Sequence, residues 1–468
     1  QPLDGQAIAS PLYVENVSIP GQGAHNVVYV ATEHDSVYAY DADGRSTTPL
    51  WKDSFINPPS VTTVPANDTG ECCDIQPEIG ITSTPVIDPT TNTMYVVAKT
   101  KEGSSYVQRL HALDITTGAE KFGGPVVIQG SVPGSGAGSA GGQVPFDSLH
   151  ENQRTGLLLL NGGVYFGFAS HGDVQPYHGW IFGYNATTLQ RTLIFNVTPD
   201  TEGAGVWMSG GGLAADSTGS LYYITGDGEF DGNTGGPDWG DSYIRMSTAG
   251  VVQDYFTPFN QDALNQGNHD LGSGGALLLP DQPGAHPHEM VSSGKDGTIY
   301  LVDRDNMGHY STTTNNIVQS LPNIFPNGSP EPGNFSAPVY WNGYVFFGPL
   351  ADTVQAFKLT NGLLSTSATY KSSMVFPDRG AALAVSANGS SNGILWAVQR
   401  NGTTAPAVLY AFDPANSSNG VLKELWDSSQ AGTRDTMDVA AKFTIPLVAN
   451  GKVFVTGQTQ LAVYGLLP

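Results

Sequence analysis

Val27-Val28-Tyr29-Val30-Ala31-Thr32-Glu33-His34-Asp35-Ser36-Val37-Tyr38-Ala39-Tyr40-Asp41 sets one Val- and Tyr-rich run against another across a short polar turn. Val and Tyr favour strands, and the polar break between the runs is a tight reversal, so the stretch reads as two antiparallel strands. The same arrangement returns about every 50 to 60 residues, a period typical of propeller repeats. Met94-Tyr95-Val96-Val97 is answered by Leu110-His111-Ala112-Leu113-Asp114, and Val164-Tyr165-Phe166 by Phe182-Gly183-Tyr184-Asn185. Leu221-Tyr222-Tyr223 is answered by Tyr243-Ile244, and Met290-Val291 by Ile299-Tyr300-Leu301-Val302-Asp303. Three further copies start near Tyr344, Ile394 and Val453. Eight copies predict an all-β chain of eight four-stranded antiparallel blades around an axis, with seven blades as the fallback. The last copy stops at Ala462-Val463-Tyr464-Gly465, and the segment from Pro2 to Ile8 is expected to supply its outer strand and close the ring. Ser131 to Gly142 is rich in Gly and Ser and reads as a long loop between the second and third blades rather than a lid.

At 468 residues the chain exceeds the usual size of one core, but repetitive β architectures remain single at this length, so residues 1–468 read as one propeller domain. Gly 58, Pro 31 and a charged fraction of 13% favour short strands and tight turns over helical bundles. A net charge of −23 argues against nucleic acid or an anionic membrane surface as partner, since both would be repelled. No apolar run approaches the roughly 20 residues that span a bilayer. Nine Asn-x-Ser/Thr sequons, at Asn16, Asn67, Asn185, Asn196, Asn327, Asn334, Asn388, Asn401 and Asn416, point to a secreted, extracellular glycoprotein with N-linked glycans. The chain starts at Gln1 without a charged-then-apolar leader, so a signal peptide is expected to have been removed. A monomer is expected.

The two cysteines, Cys72 and Cys73, are adjacent. Joined to each other they would close a small strained ring, and two readings stand: a rigid plate over a ligand pocket, or a loop stiffener or free thiol pair.

In a propeller, the loops leading into each innermost strand and those linking the second and third strands gather on one face. Here they bring Cys72, Cys73, Glu78, Arg154, Trp207, Asp270, Arg379 and Lys442 together with His34, Asp35, Lys99, His171, Asp173, Asp227, Lys295 and Arg400. Asp173, Asp227 and Asp270 would repel one another without a cation, which suggests Ca²⁺ or another divalent metal. His34 and His171 keep a transition metal open. The competing reading is that Asp serves turns and His satisfies backbone groups. Asp227-Gly228-Glu229-Phe230-Asp231-Gly232 resembles half a calcium loop but lacks flanking helices, and reads as a polar turn lending Asp227 to the funnel.

These residues resemble the eight-bladed quinoprotein alcohol dehydrogenases that use pyrroloquinoline quinone (PQQ) and Ca²⁺, and more loosely a secreted microbial branch of PQQ-like propellers. The likeness rests on Cys72-Cys73-Asp74, Thr225-Gly226-Asp227, Thr257-Pro258 with His269-Asp270, and Gly294-Lys295-Asp296-Gly297. It implies a vicinal disulfide over the quinone, Asp227 and Asp173 as calcium ligands, Asp270 as the base that takes a hydroxyl proton, and Lys295 beside the quinone. Two positions depart from the family pattern. Glu78 stands where an Arg pairs with a quinone carboxylate, and Gly210-Gly211-Gly212 stands where a Trp floors the quinone, with Trp207 a few residues early.

Three functions follow. The first is a secreted quinoprotein-like oxidoreductase acting on an alcohol or sugar hydroxyl, with Asp270, Lys295 and His171 as its chemical groups and Cys72, Cys73, Glu78, Trp207 and Lys295 around the cofactor. The second is a cofactor-free, metal-assisted glycan lyase or hydrolase in the same funnel, with Trp207 and Trp239 against the sugar and His171 or His34 as base. The third is a non-catalytic binding propeller.

Overall fold

The computed structural model describes residues 1–70, 75–326 and 333–466; Cys72, Cys73, Asp74 and the Asn327 sequon lie outside them. Nearly all regular structure is β, and the single α-helix among the described residues, Gln261–Gly267, has seven residues. Among the described residues no helix is long and apolar enough to cross a membrane.

The first sheet runs in chain order through Leu12–Ile19, Gly23–Ala31, Ser36–Asp41 and Trp51–Ser54. The second is built on the long hairpin Thr93–Glu102 and Ser105–Asp114, flanked by Val86–Asp88, Val126–Val127 and an added pair, Val61–Pro65 and Glu78–Ile79. In the third, Glu151–Gln153 and Leu158–Leu160 both pair with Gly163–Ser170, followed by Trp180–Asn185 and Arg191–Asn196. The fourth comprises Ala214–Ala215, Leu221–Ile224, Tyr243–Met246 and Val252–Phe256. The fifth comprises Leu277–Leu278, Glu289–Ser293, Ile299–Asp303 and Gln319–Leu321. Two further antiparallel sets, 339–376 with four strands and the short Leu363–Leu364 beside Asp352–Thr360, and 381–427 with four, join through one parallel pair, Lys371 with Val421. The last sheet has three strands, Leu447–Ala449, Lys452–Thr456 and Leu461–Gly465.

The inner strands are covered on both faces, which is why Ser36–Asp41 and Glu289–Ser293 carry no exposed position. Apolar clusters fill the space between neighbours. Tyr29, Ala39 and Val96 join the first sheet to the second, Tyr95, Phe166 and Phe182 the second to the third, and Val398, Leu409 and Val455 the seventh set to the last sheet. Val28, Val30, Tyr40, Phe454 and Leu461 then pack the last sheet onto the first, so the circuit closes as in a β-propeller. Tyrosines in equivalent second strands tie neighbours together: Tyr29 donates to Ile115 O at 2.9 Å and Tyr95 to Ala186 O at 2.8 Å.

The Asp or Asn that ends the third strand of the first, second, third and fifth sheets has a local purpose. Asp41, Asp114, Asn185 and Asp303 each accept the backbone N–H two residues on at 2.8–2.9 Å, turning the chain toward the outer strand. The N-terminal segment does join the last sheet, but through a few bonds rather than a full strand. Leu3 N–H donates to Thr459 O at 2.8 Å and Ala7 N–H to Gly457 O at 3.1 Å.

Ser131 to Gly142 differs from the expected loop. Ser131–Pro133 and Gln143–Pro145 form a hairpin whose tip docks on the third sheet's neighbour segment, with Gly136 N–H on Pro199 O at 2.9 Å and Ala137 N–H on Thr201 O at 2.8 Å. Two sequons are also corrected. Asn196 and Asn334 are buried, and their side chains serve Thr198 N–H, and Ser293 O and Ser336 O, so in the fold neither offers a glycan site; Asn16, Asn67, Asn388 and Asn416 are exposed.

Candidate functional site

The loops between the second and third strands of the third, fourth and fifth sheets carry Asp173, Asp227 and Lys295, and the segment leading into Leu277–Leu278 carries Asp270. These four come together. Asp270 Oδ2 forms an ion pair with Lys295 Nζ, and Asp270 Oδ1 accepts Asp227 N–H at 2.9 Å. Lys295 Nζ also donates to Asn268 Oδ1 at 2.8 Å, and Lys295 N–H to Asp270 O at 3.1 Å. Gly226 is required here: a Cβ on it would lie 2.3 Å from Asp270 Oδ1. Beneath, buried Asp241 accepts Leu271 N–H at 3.1 Å and holds the Asp270 segment from below.

Four carboxyl groups round one ammonium cannot all ionise cheaply. Burial, then Asp270 and Asp241, push the Asp227 carboxyl up to about 10 despite Lys295. Burial and Asp270 raise Asp173 as well, opposed by the Ser170 hydroxyl, which donates to it at 2.8 Å, by Lys295 and by the Tyr177 hydroxyl. Burial pushes Asp241 well up. For Lys295, burial pulls its pKa down, but Asp270, Asp227 and Asp173 together outweigh it and raise it.

Asp227 and Asp173 face a cleft of about 580 Å³, walled by the hairpin tip at Ser135 to Ala137 and by Tyr177, Asp200, Glu202, Glu229, Asn265 and Asn268. Its lining includes five carboxyl groups and no Lys or Arg. Asp227 Oδ1 is buried without a hydrogen-bond partner. Asp270 and Lys295 are not part of this lining. They sit behind it, Asp270 at 5% exposure, and the expected base Asp270 and quinone-side Lys295 are paired with each other, with Asp270 also holding the Asp227 backbone.

Of the expected metal set, Asp173, Asp227 and Asp270 gather around Lys295, whereas His34 and His171 lie apart from them. Among the described residues no group of three or more His, Cys, Asp or Glu side chains is placed to hold a metal ion. His34 Nδ1 lies 2.9 Å from Glu78 Oε1, while Thr63 Oγ1 donates to Glu78 Oε2 at 2.7 Å. His171 is buried, and its Nε2 accepts from Lys99 Nζ at 2.8 Å. Burial lowers the Lys99 ammonium to about 7, and burial with Lys99 and His150 holds His171 neutral, well below its ordinary range. The cation among the aspartates is Lys295.

A flat quinone does not fit the residues present. Where the resemblance places a Trp floor, Gly210 lies against Arg154, whose Nη1 stands 2.4 Å from the position a Cβ would take. The Arg154 guanidinium stacks 5.0 Å from the Phe443 ring on its other side. Trp207 does not replace the floor, because its indole nitrogen packs against Gly205, 2.9 Å from that residue's Cβ position. Glu78 is held by His34 and Thr63 and provides no positive partner for a quinone carboxylate. Cys72 and Cys73, the other expected face, lie outside the described residues.

Sequence reasoning missed Asp241, Tyr177 and the aromatic pair Phe335 and Phe443. A signal existed for the pair. Arg154, Gly210, Phe335 and Phe443 each stand four residues ahead of an innermost strand, beginning at Leu158, Ala214, Val339 and Leu447, so the repeat itself aligns them on the axis.

No protein-family model matches the chain, and no curated protein matches it. Solved structures do. The quinohemoprotein alcohol dehydrogenase of Comamonas testosteroni aligns over 100% of this chain and 76% of its own, with a TM-score of 0.59 and 13% identity. That of Pseudomonas putida HK5 aligns over 99% and 75%, with a TM-score of 0.57 and 14% identity. BamB from Moraxella catarrhalis aligns over 98% of both chains at a TM-score of 0.50 and 12% identity. At such identities the likeness speaks for architecture alone, and the chain shares the β-propeller fold of the quinoprotein alcohol dehydrogenases and BamB.

Proposed function

We propose that this protein is a secreted, eight-bladed propeller enzyme that hydrolyses a glycosidic bond in the acidic cleft, with Asp227 as general acid and Asp173 as general base. The observation that carries this reading is Asp227: a carboxyl pushed up to about 10, at the wall of an open cleft, beside a second carboxyl. Glycoside hydrolysis requires one carboxyl that gives a proton and a second that takes one. The protonated Asp227 gives its proton to the bridging oxygen as the carbon–oxygen bond breaks. Water adds to the sugar carbon while Asp173 takes the water's proton. Burial and Asp270 raise the Asp173 carboxyl, and the Ser170 and Tyr177 hydroxyls and Lys295 work against that rise. Asp270 and Lys295 position the Asp227 backbone and do not touch substrate. A lining rich in carboxylates selects neutral or amine-bearing sugars over uronates, which would be repelled.

The test is turnover on a panel of neutral and amino oligosaccharides by the wild type, Asp227→Asn and Asp173→Asn. Each variant should lose about 100-fold or more in kcat while melting at the wild-type temperature, the usual scale for removing a positioned acid or base. A wild type that cleaves none of the panel, or an Asp227→Asn that keeps its rate, would overturn the assignment.

Oxidation of an alcohol or sugar hydroxyl is the second reading, favoured by the meeting of Asp270 and Lys295 at the positions the dehydrogenase resemblance names. Calorimetric titration with PQQ, with and without Ca²⁺, separates the two: tight, calcium-dependent, one-to-one binding replaces the hydrolase with the oxidoreductase.

A further inference from the structure

A second cleft, of about 410 Å³, opens beside the acidic one and differs from it in kind. Phe195 and Trp239 line it together with Pro133, Pro199 and Pro237, and no charged side chain does. Both aromatic residues are half-buried, so each keeps apolar surface that the core does not cover. Apolar surface gathered in a concavity with few polar groups is the usual make-up of a binding site.

Trp239 is held as a rigid wall. Its backbone N–H donates to Val197 O at 3.0 Å, and its carbonyl accepts the Thr225 hydroxyl at 2.7 Å. Tyr255 meets the indole edge-on with centroids 5.0 Å apart, and Phe230 does so at 6.1 Å. Gly232 lies against the six-membered ring, where a Cβ would stand 2.4 Å from Cζ3. A ring fixed in this way offers contact area with little motion left to lose on binding.

One polar group in the lining is left unused by the fold. Asn196 is 3% exposed and belongs to the cleft wall. Its Oδ1 accepts Thr198 N–H at 2.9 Å, which identifies the other side-chain atom as the amide nitrogen, and that Nδ2 is buried without a hydrogen-bond partner. Buried donors in folded proteins are satisfied by protein, water or ligand. The cleft therefore combines apolar walls with one donor that requires an oxygen.

The two clefts share a wall. Pro133 and Pro199 line the apolar one, while Ser135 and Asp200, just along the chain from them, line the acidic one. Ser135 N–H and its hydroxyl donate to Asp200 Oδ1, and Asp200 N–H donates to Oδ1 of Asp238, the residue between Pro237 and Trp239, at 3.1 Å. A chain molecule seated in the acidic cleft has the apolar cleft as its next surface over this wall.

We propose that the apolar cleft binds a neutral sugar ring of the glycan that enters the acidic cleft; the identity of that chain rests on the hydrolase reading, the binding does not. A pyranose has a C–H face to lay against Trp239 and Phe195, and oxygens on its edge to accept from Asn196 Nδ2. Neutrality matches a lining without charge, where a uronate or an ammonium group would lose hydration and find no counter-charge. Trp239, expected from the sequence to stack a sugar in the funnel, belongs to this cleft and not to the acidic one.

Calorimetry on Asp227→Asn, chosen so that the ligand is not cleaved, tests this with cellohexaose, maltohexaose and N-acetylchitohexaose. At least one should bind one-to-one. Adding Trp239→Ala should weaken that binding at least tenfold, and so should Pro237→Arg, whose exposed position brings a long side chain to the cleft without touching the core. Melting temperatures show whether each variant folds, and Pro237→Arg decides alone if Trp239→Ala does not. No binding of any hexamer at millimolar concentration, or unchanged affinity in a folded Pro237→Arg, would overturn the subsite. Tighter binding of a proline decamer would also overturn it, in favour of a groove for an extended peptide. Turnover by the otherwise wild-type chain separates the two readings. Hexamer binding that Pro237→Arg weakens, without any cleavage, keeps the subsite and removes the hydrolase; cleavage with affinity that Pro237→Arg leaves unchanged does the reverse.

Discussion

Lys99 Nζ donates to Leu149 O at 2.7 Å, His171 Nε2 at 2.8 Å and Glu151 O at 3.5 Å, yet burial lowers it to about 7. Glu33, Asp147 and Glu151 face it with opposing charge, and neutral His171 accepts from it. The consequence for stability has a definite sign. In the unfolded chain Lys99 keeps its proton to about 10.4, whereas in the fold it loses it near 7, so between these values the unfolded state holds more protons and stability rises with pH. One group contributes at most about 1.4 kcal/mol per pH unit. Lys99→Met removes that slope: from pH 7 to pH 10 the wild type should gain stability relative to the variant, and urea midpoints measured across this range will show it. A constant difference between the two proteins would refute the burial account. Lys99 was visible in the sequence as one cation in a chain poor in charge, as were Asp173, Asp227, Asp270 and Lys295, because polar residues in equivalent turns of a repeat must emerge at one end. What the sequence hid was depth. Asp227 at the cleft wall and Asp270 behind it look alike in one dimension, and only the Gly226 contact and the Lys295 pair decide which carboxyl meets solvent.

At the scale of elements, the central strands were legible because Val, Ile, Tyr and Phe runs buried on both faces leave a strong mark, whereas the hairpin of Ser131–Pro133 and Gln143–Pro145 was not. Three-residue strands carry almost no periodicity, and Gly/Ser between them reads as a loop. The glycines are there for close approach: a Cβ would lie 2.1 Å from Pro199 O at Gly134 and 2.3 Å from Thr201 O at Gly136. The hairpin tip is therefore seated closely by backbone, with Ser135 N–H and its hydroxyl on Asp200 Oδ1 at 2.9 and 3.0 Å and His178 Nε2 2.9 Å from Ala137 O as further ties. Gly136→Val should lift the tip from Asp200 to Gly203 and open the cleft wall. Because the hairpin lies outside the sheets, melting should shift by under about 2 °C, as for a peripheral change. The KM for an oligosaccharide substrate should rise at least fivefold with kcat less affected. Unchanged KM would show that the hairpin does not shape the substrate site.

For the whole molecule, a ring is only as cooperative as its closure. Neighbouring sheets elsewhere are joined by continuous chain, but the last and first meet through packing of Val28, Val30, Tyr38, Tyr40, Phe454 and Leu461, through the Lys452–Asp43 ion pair at 3.0 Å and through the segment before Leu12. That segment does more than the missing outer strand expected of it. Leu3 and Ala7 bond the last sheet, Ala7 is fully buried in the closing cluster, and Ile8 at 5% exposure packs beside Val64 and Ile79 of the second sheet. It thus clasps three sheets at once. Removing residues 1–9 forfeits the burial of Ile8 and uncovers part of the cluster, about 3 kcal/mol or more at the usual worth of a buried aliphatic side chain. The truncated chain should melt at least about 5 °C lower. Hydrogen exchange should localise the loss, with amides of Val28, Val30 and Phe454 exchanging faster while those of Met290 and Val302, in the fifth sheet, keep their protection. A uniform rise in exchange would instead mean that the circuit unfolds as one unit and that the clasp holds every sheet alike. Unchanged melting would mean that packing alone closes the ring.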